Sequence, residues 1–123
     1  MKLTAAILLL AFNCQAIDDA TAVRAIVGEA SGQSYQDKLA VAGAIRNGQG
    51  KFALIGLRNR VMIDRQPKRV FADARRAWSE SATNDASLGA THFEANRFGR
   101  PWWSSNMVVT VRTASFTFYK ERK

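Results

Sequence analysis

The chain has 123 residues, with 18 Lys and Arg against 10 Asp and Glu, and a formal net charge of +8. That length suits one compact domain and leaves no room for a second, while 47% hydrophobic and 23% charged residues exclude wholesale disorder. The basic balance calls for an anionic partner, and nucleic acid, anionic lipid head groups and wall polymers all satisfy it. Cys14 is the only cysteine, which excludes an intramolecular disulfide. His92 is the only histidine, and zinc sites draw on several His or Cys ligands, so no metal is expected. Nothing identifies an organic cofactor either.

Residues 1–16 read as a signal peptide. Lys2 supplies a positive n-region, Leu3 to Phe12 is apolar except for Thr4, and Cys14-Gln15-Ala16 places small residues at −3 and −1 of a cleavage site. The apolar run is too short to span a bilayer as a helix. Export to the periplasm or cell wall is expected, with residues 17–123 as the mature domain and no stable membrane span after processing. A buried N-terminal helix is the alternative. Cleavage removes Lys2 and no acid, so the mature domain stays strongly basic.

Asp18 and Asp19 are placed to cap a first helix whose apolar face carries Ala22, Val23, Ile26, Val27 and Ala30, with Gly32 as its stop. Ser34 opens a second, with Asp37 as an acidic variant of the capping box. Leu39, Val41, Ala42 and Ile45 form its buried side, and Gly48 and Gly50 end it. Phe52 to Met62 is apolar around Gly56, and its pattern favours neither helix nor strand. Phe71 to Ala82 predicts a helix with Phe71, Ala74 and Trp78 on one face. Beyond Asn84 the pattern changes. Thr91 to Glu94, Met107 to Arg112 and Ser115 to Tyr119 favour strands by β-branched and aromatic content. Helices first and strands last predict an α+β domain, a helical lobe with a small antiparallel sheet from the C-terminal third.

Residue types exclude several chemistries. The chain has no G-x-x-x-x-G-K-[ST] loop for a triphosphate and no G-x-G-x-x-G turn for a dinucleotide. Gly28-Glu29-Ala30-Ser31-Gly32 puts its serine in the wrong slot for a nucleophile elbow. A Ser–His–acid triad would need His92, and nothing locates its serine. Carboxylate chemistry remains. Glu29 falls near the C-terminal end of the first predicted helix, where its charge opposes the helix dipole. Apolar Val27 and Ala30 flank it, and Gly28 and Gly32 leave space around it. Such surroundings raise a carboxyl pKa and suit a general acid. An exposed helix-end glutamate is the other reading, and spacing alone leaves both open.

Val23 to Ala30, with its glycine-glutamate-alanine, followed by Gly32 to Ala42, resembles the opening motif of the SleB-type cell-wall hydrolases, the family of the spore-cortex lytic enzyme. Gly89-Ala90-Thr91-His92-Phe93, the Trp102-Trp103 pair and Phe118-Tyr119 resemble that family's terminal strand segment, its tryptophan and its final phenylalanine-tyrosine. These matches bracket residues 23–119. The resemblance implies a lysozyme-like fold, cleavage of peptidoglycan glycan strands, and Glu29 as the catalytic acid. The chain departs from the family pattern at Ile45-Arg46-Asn47-Gly48 and from Lys51 to Arg69.

Glycosidic cleavage needs a proton for the leaving oxygen and stabilisation of an oxocarbenium-like centre. Hydrolases usually supply a second carboxylate, and Glu94 is the best placed one, although an exposed strand carboxylate is its ordinary role. A lytic transglycosylase manages with a single glutamate, and the resemblance favours that version. Trp102 and Trp103 follow Pro101 in a polar stretch suited to stacking on sugar rings, and either also suits a core cap. Thr91, His92 and Tyr119 join them as candidate substrate-binding residues, with plain packing as the alternative. Trp78 reads as core. From Arg46 to Arg76 the basic residues outnumber Asp64 and Asp73 and favour anionic wall polymers as partners. The leader argues against nucleic acid. A non-catalytic wall-binding module would keep the tryptophans and the charge without needing Glu29.

Overall fold

The computed structural model describes residues 17–51 and 55–122. The leader read in residues 1–16, with Lys2 and Cys14, and the Phe52 end of the undecided stretch lie outside the described residues. The order is helix α1 (Asp19–Ala30), helix α2 (Tyr35–Asn47), a 3₁₀ turn at Gly56–Arg58, short helix α3 (Arg60–Asp64) and helix α4 (Lys68–Glu80). Strands β1 (His92–Ala95), β2 (Met107–Arg112) and β3 (Phe116–Glu121) follow, with 3₁₀ turns at Asn96–Phe98 and Trp102–Asn106 between the first two. Helices and a small antiparallel sheet make this an α+β fold, as the sequence predicts.

Both caps of the first two helices are where the sequence puts them. The Asp18 carboxylate accepts from Thr21 N at 2.8 Å and from the Thr21 hydroxyl at 2.9 Å. Ser34 Oγ accepts from Asp37 N at 3.2 Å. Removing that oxygen by Ser34→Ala is expected to lower unfolding free energy by about 1 kcal/mol. Urea denaturation checks this, and an unchanged midpoint would mean that the cap bond contributes nothing.

Helix α2 is the centre of the lobe. Every residue from Asp37 to Ile45 is buried, because α1, α4 and β1 all pack on it. Its end is a Schellman motif: Gly50 N donates to Ile45 O and Gln49 N to Arg46 O. Gln49, not a glycine, takes the left-handed position at φ 56°.

Helix α4 starts three residues before the predicted Phe71 and stops at Glu80 rather than Ala82. Pro67, at φ −65° and ψ 157°, sets its entry, and the Ser81 N–H bond to Ala77 O closes it. Val70, Ala74, Ala77 and Trp78 form its buried stripe. Trp78 is core as expected, and its indole N–H donates to Asp19 at 2.7 Å. Arg46 lies 3.8 Å above the Trp78 ring and donates to Trp78 O and Ser81 Oγ. This arginine, counted with the basic cluster, therefore ties α2 to α4. Arg24 and Asp64 pair at 2.9 Å across α1 and α3, in an exposed position where such pairs contribute little.

The sheet has strand order β1-β3-β2, antiparallel throughout. His92 faces Tyr119 and Glu94 faces Thr117 across the first pair. The β2–β3 register slips between Val109 and Val111, and the extra Thr110 donates its hydroxyl to Ser87 O at 2.7 Å. Phe93, Phe116 and Phe118 pack ring on ring, at 5.7 to 6.1 Å between centroids, and join the sheet to the helical core. Among the described residues no helix is long and apolar enough to cross a membrane.

Candidate active-site cleft

Helix α1 delivers Glu29 on its last turn, at the edge of the lobe that meets the sheet. There it lines two hollows. One, of about 460 Å³, is bounded by Ile55, Arg58, His92, Glu94 and Trp103 together with Glu29. The other, of about 290 Å³, is bounded by Gln33, Asn96, Arg97 and Ser115 with the same glutamate. Glu29 is the one lining residue that the two hollows share, and together they make the candidate groove.

Two glycines make that position. The sequence predicts open space at both Gly28 and Gly32, and only Gly32 is open. Gly28 is in backbone contact with Gly56, so closely that a Cβ there would collide with the Gly56 carbonyl. In turn, a Cβ on Gly56 would come within 2.8 Å of Glu29 Cγ and 2.9 Å of Ala25 O. The turn at Gly56–Arg58 therefore lies close against α1 and walls in the Glu29 side chain. Gly56, inside an apolar stretch of undecided state, was the visible signal for this contact, but its partner was not readable from spacing.

Burial pushes the Glu29 carboxyl above its ordinary glutamate value, and the nearby Glu94 charge pushes in the same direction. Glu94 itself is half-buried in the cleft wall, where a carboxylate oxygen accepts from Ala95 N at 3.2 Å. Its ordinary reading as an exposed strand carboxylate does not describe this position.

Thr91, His92, Trp103 and Tyr119 contact one another in series. His92 Nδ1 is 2.8 Å from the Thr91 hydroxyl, and its ring is 5.3 Å from Trp103. Burial lowers the His92 pKa against the opposing pull of Glu121, which favours a neutral ring. Trp103 is half-buried and lines the cleft, and Tyr119 meets it edge-on at 5.3 Å. Tyr119 is only 2% exposed, so it backs the Trp103 ring rather than opening to the groove. Trp102, by contrast, is 88% exposed and is not among the cleft-lining residues. Arg100 fixes the loop that carries both tryptophans by donating to Ser104 Oγ at 3.1 Å.

Several groups near the groove have structural roles. Asn96 donates to Thr113 O and Ala114 O and accepts from Thr117 Oγ1, which pins the β2–β3 turn to β1. Ser115 donates to Gln33 at 2.6 Å and joins that turn to the helical lobe. Asp85 is pushed up by burial, but hydrogen bonds from Ser87, Asn47 and Gly89 N outweigh this and hold it below the usual carboxylate range. Among the described residues no group of three or more His, Cys, Asp or Glu side chains is placed to hold a metal ion. Comparison with family models, curated proteins and solved structures finds no match to this chain.

Proposed function

We propose that the chain is a SleB-like, lysozyme-like enzyme that cleaves peptidoglycan glycan strands as a lytic transglycosylase, exported and working in the periplasm or wall. The observation that carries this reading is Glu29, a carboxyl with a raised pKa at the junction of two hollows. A strand laid along the groove puts sugar on both sides of that carboxyl, with Trp103 as a stacking face. Protonated Glu29 gives its proton to the bridging glycosidic oxygen as the bond to C1 breaks. The resulting carboxylate faces the positive charge that develops at the ring. It then takes the proton from the C6 hydroxyl of the same sugar while that oxygen bonds to C1, leaving a 1,6-anhydro end. Glu29 returns to its protonated state, and no water is consumed. A wall-binding module without catalysis has no use for a carboxyl held against its preferred ionisation.

Glu94 favours a second reading, a two-carboxylate hydrolase, because it lines the same cavity. Glu94→Gln separates them. Under the transglycosylase reading, turnover persists and the alkaline limb of its pH profile moves to lower pH, since the charge that helps to raise Glu29 is gone. The move is partial, because burial, the larger cause, remains. Under the hydrolase reading, Glu94→Gln abolishes turnover and the wild-type products carry reducing ends. A pH profile with product analysis decides between them.

A further inference from the structure

A further hollow adjoins the Glu29 cleft. It measures about 740 Å³ and lies between the end of α2 and the outer end of the sheet. Lys51 lines both it and the Glu29 cleft, and Thr91 lines it next to His92 of the cleft, so the two spaces adjoin. Its charged wall is Lys51, Lys120, Glu121 and Arg122, and its neutral wall includes Gln49 and Thr91. Three cations and one anion beside hydrogen-bonding amide and hydroxyl groups describe a zwitterionic ligand with an excess of negative charge. A phosphate polymer would meet Glu121 as a repulsion and leave the neutral groups unused. At the end of α2 the Ile45 and Arg46 carbonyls are already taken by the Schellman bonds.

We propose that this hollow binds the peptide stem that branches from the glycan strand. The inference rests on the glycan-cleaving reading of the Glu29 groove, because a branch fixed to a sugar in that groove is what reaches a neighbouring hollow. Lys120 and Arg122 take the stem's carboxylates, Glu121 takes the free amine of its diamino acid, and Lys51 stands at the fork between strand and stem. Selection for glycan that still carries its peptides follows from this arrangement.

The test is titration calorimetry of the full chain with a free stem tetrapeptide containing a diamino acid. The same peptide acetylated on its side-chain amine and a glycerol phosphate oligomer serve as the other probes. Saturable one-to-one binding of the free peptide is expected. Lys120→Glu with Arg122→Glu is expected to weaken it by about tenfold or more, and Lys120→Gln with Arg122→Gln is expected to weaken it less. Acetylation should weaken binding to wild type but make no difference to Glu121→Gln. Absence of peptide binding, equal binding by all these variants, or tighter binding of the phosphate oligomer would overturn the proposal. Sacculi cleaved by a protein that does not bind the peptide would remove the stem site alone. Peptide bound by a protein that leaves glycan intact would remove the glycan-cleaving reading instead.

Discussion

Glu29→Gln is expected to cut the release of fragments from purified sacculi by about 10²–10⁴-fold, the range for losing a general acid. Glutamine keeps the shape and neutrality of the protonated side chain but has no proton to give. The variant should fold and should still bind sacculi, because the Trp103 face and the basic surface are untouched. Stability offers an independent check with a definite sign. Between the ordinary glutamate value and the raised one, native protein retains a proton that the unfolded chain has released. Native stability therefore falls as pH rises through that interval. Gln escapes this loss. Glu29→Gln should be more stable than wild type at neutral pH and equal to it below the usual glutamate range. A folded variant that solubilises sacculi at near the wild-type rate would end the catalytic assignment.

The second large effect is expected at Gly28. A methyl group there has nowhere to go, since the Gly56 carbonyl occupies its place and both atoms belong to backbone. Gly28→Ala must push α1 away from the turn at Gly56–Arg58, at a cost of about 1–3 kcal/mol or more, and it should open the wall beside Glu29. Gly32→Ala is the matched control, because nothing lies within 4 Å of the added atom. Urea denaturation should find Gly32→Ala near neutral and Gly28→Ala strongly destabilised. Turnover of the folded Gly28→Ala fraction should fall as well, through misplacement of Glu29. Equal midpoints for the two variants would mean that the Gly28–Gly56 contact does not hold the cleft.

Much of this fold was legible because its signals are local. Asp18, Ser34 and Gly48 mark helix ends through bonds within a few residues, and the apolar spacing of α1 matches its buried face. The three strands were readable from their aromatic and β-branched residues. The predicted start of α4 falls three residues late because its first turn, Lys68 to Val70, is mostly charged, and the entry signal lies in Pro67 instead. The pattern of Phe52 to Met62 favours neither state because the elements its described part enters, a 3₁₀ turn and a five-residue helix, are too short to show a period.

The site was legible in part for the same reason. Glu29 was readable from its place at a helix end among small and apolar residues. That Glu94 joins it in the cleft depends on which face of β1 the sheet turns inward, and alternation alone does not say. Trp102 and Trp103 were indistinguishable as neighbours, and only the 3₁₀ turn at Trp102–Asn106 sends one into the cleft and the other into solvent. Gly56 could not be assigned, because its role is defined by contact with Gly28 and Glu29, distant in sequence.

Mass spectrometry of the fragments that wild-type protein releases from purified sacculi, digested in ¹⁸O-labelled water, tests the central claim most directly. A transglycosylase reaction at Glu29 predicts muropeptides ending in 1,6-anhydro sugars, lighter by one water than the hydrolytic products and free of the label. Sacculi left intact by folded protein, or fragments released by cutting only peptide bonds, would contradict it.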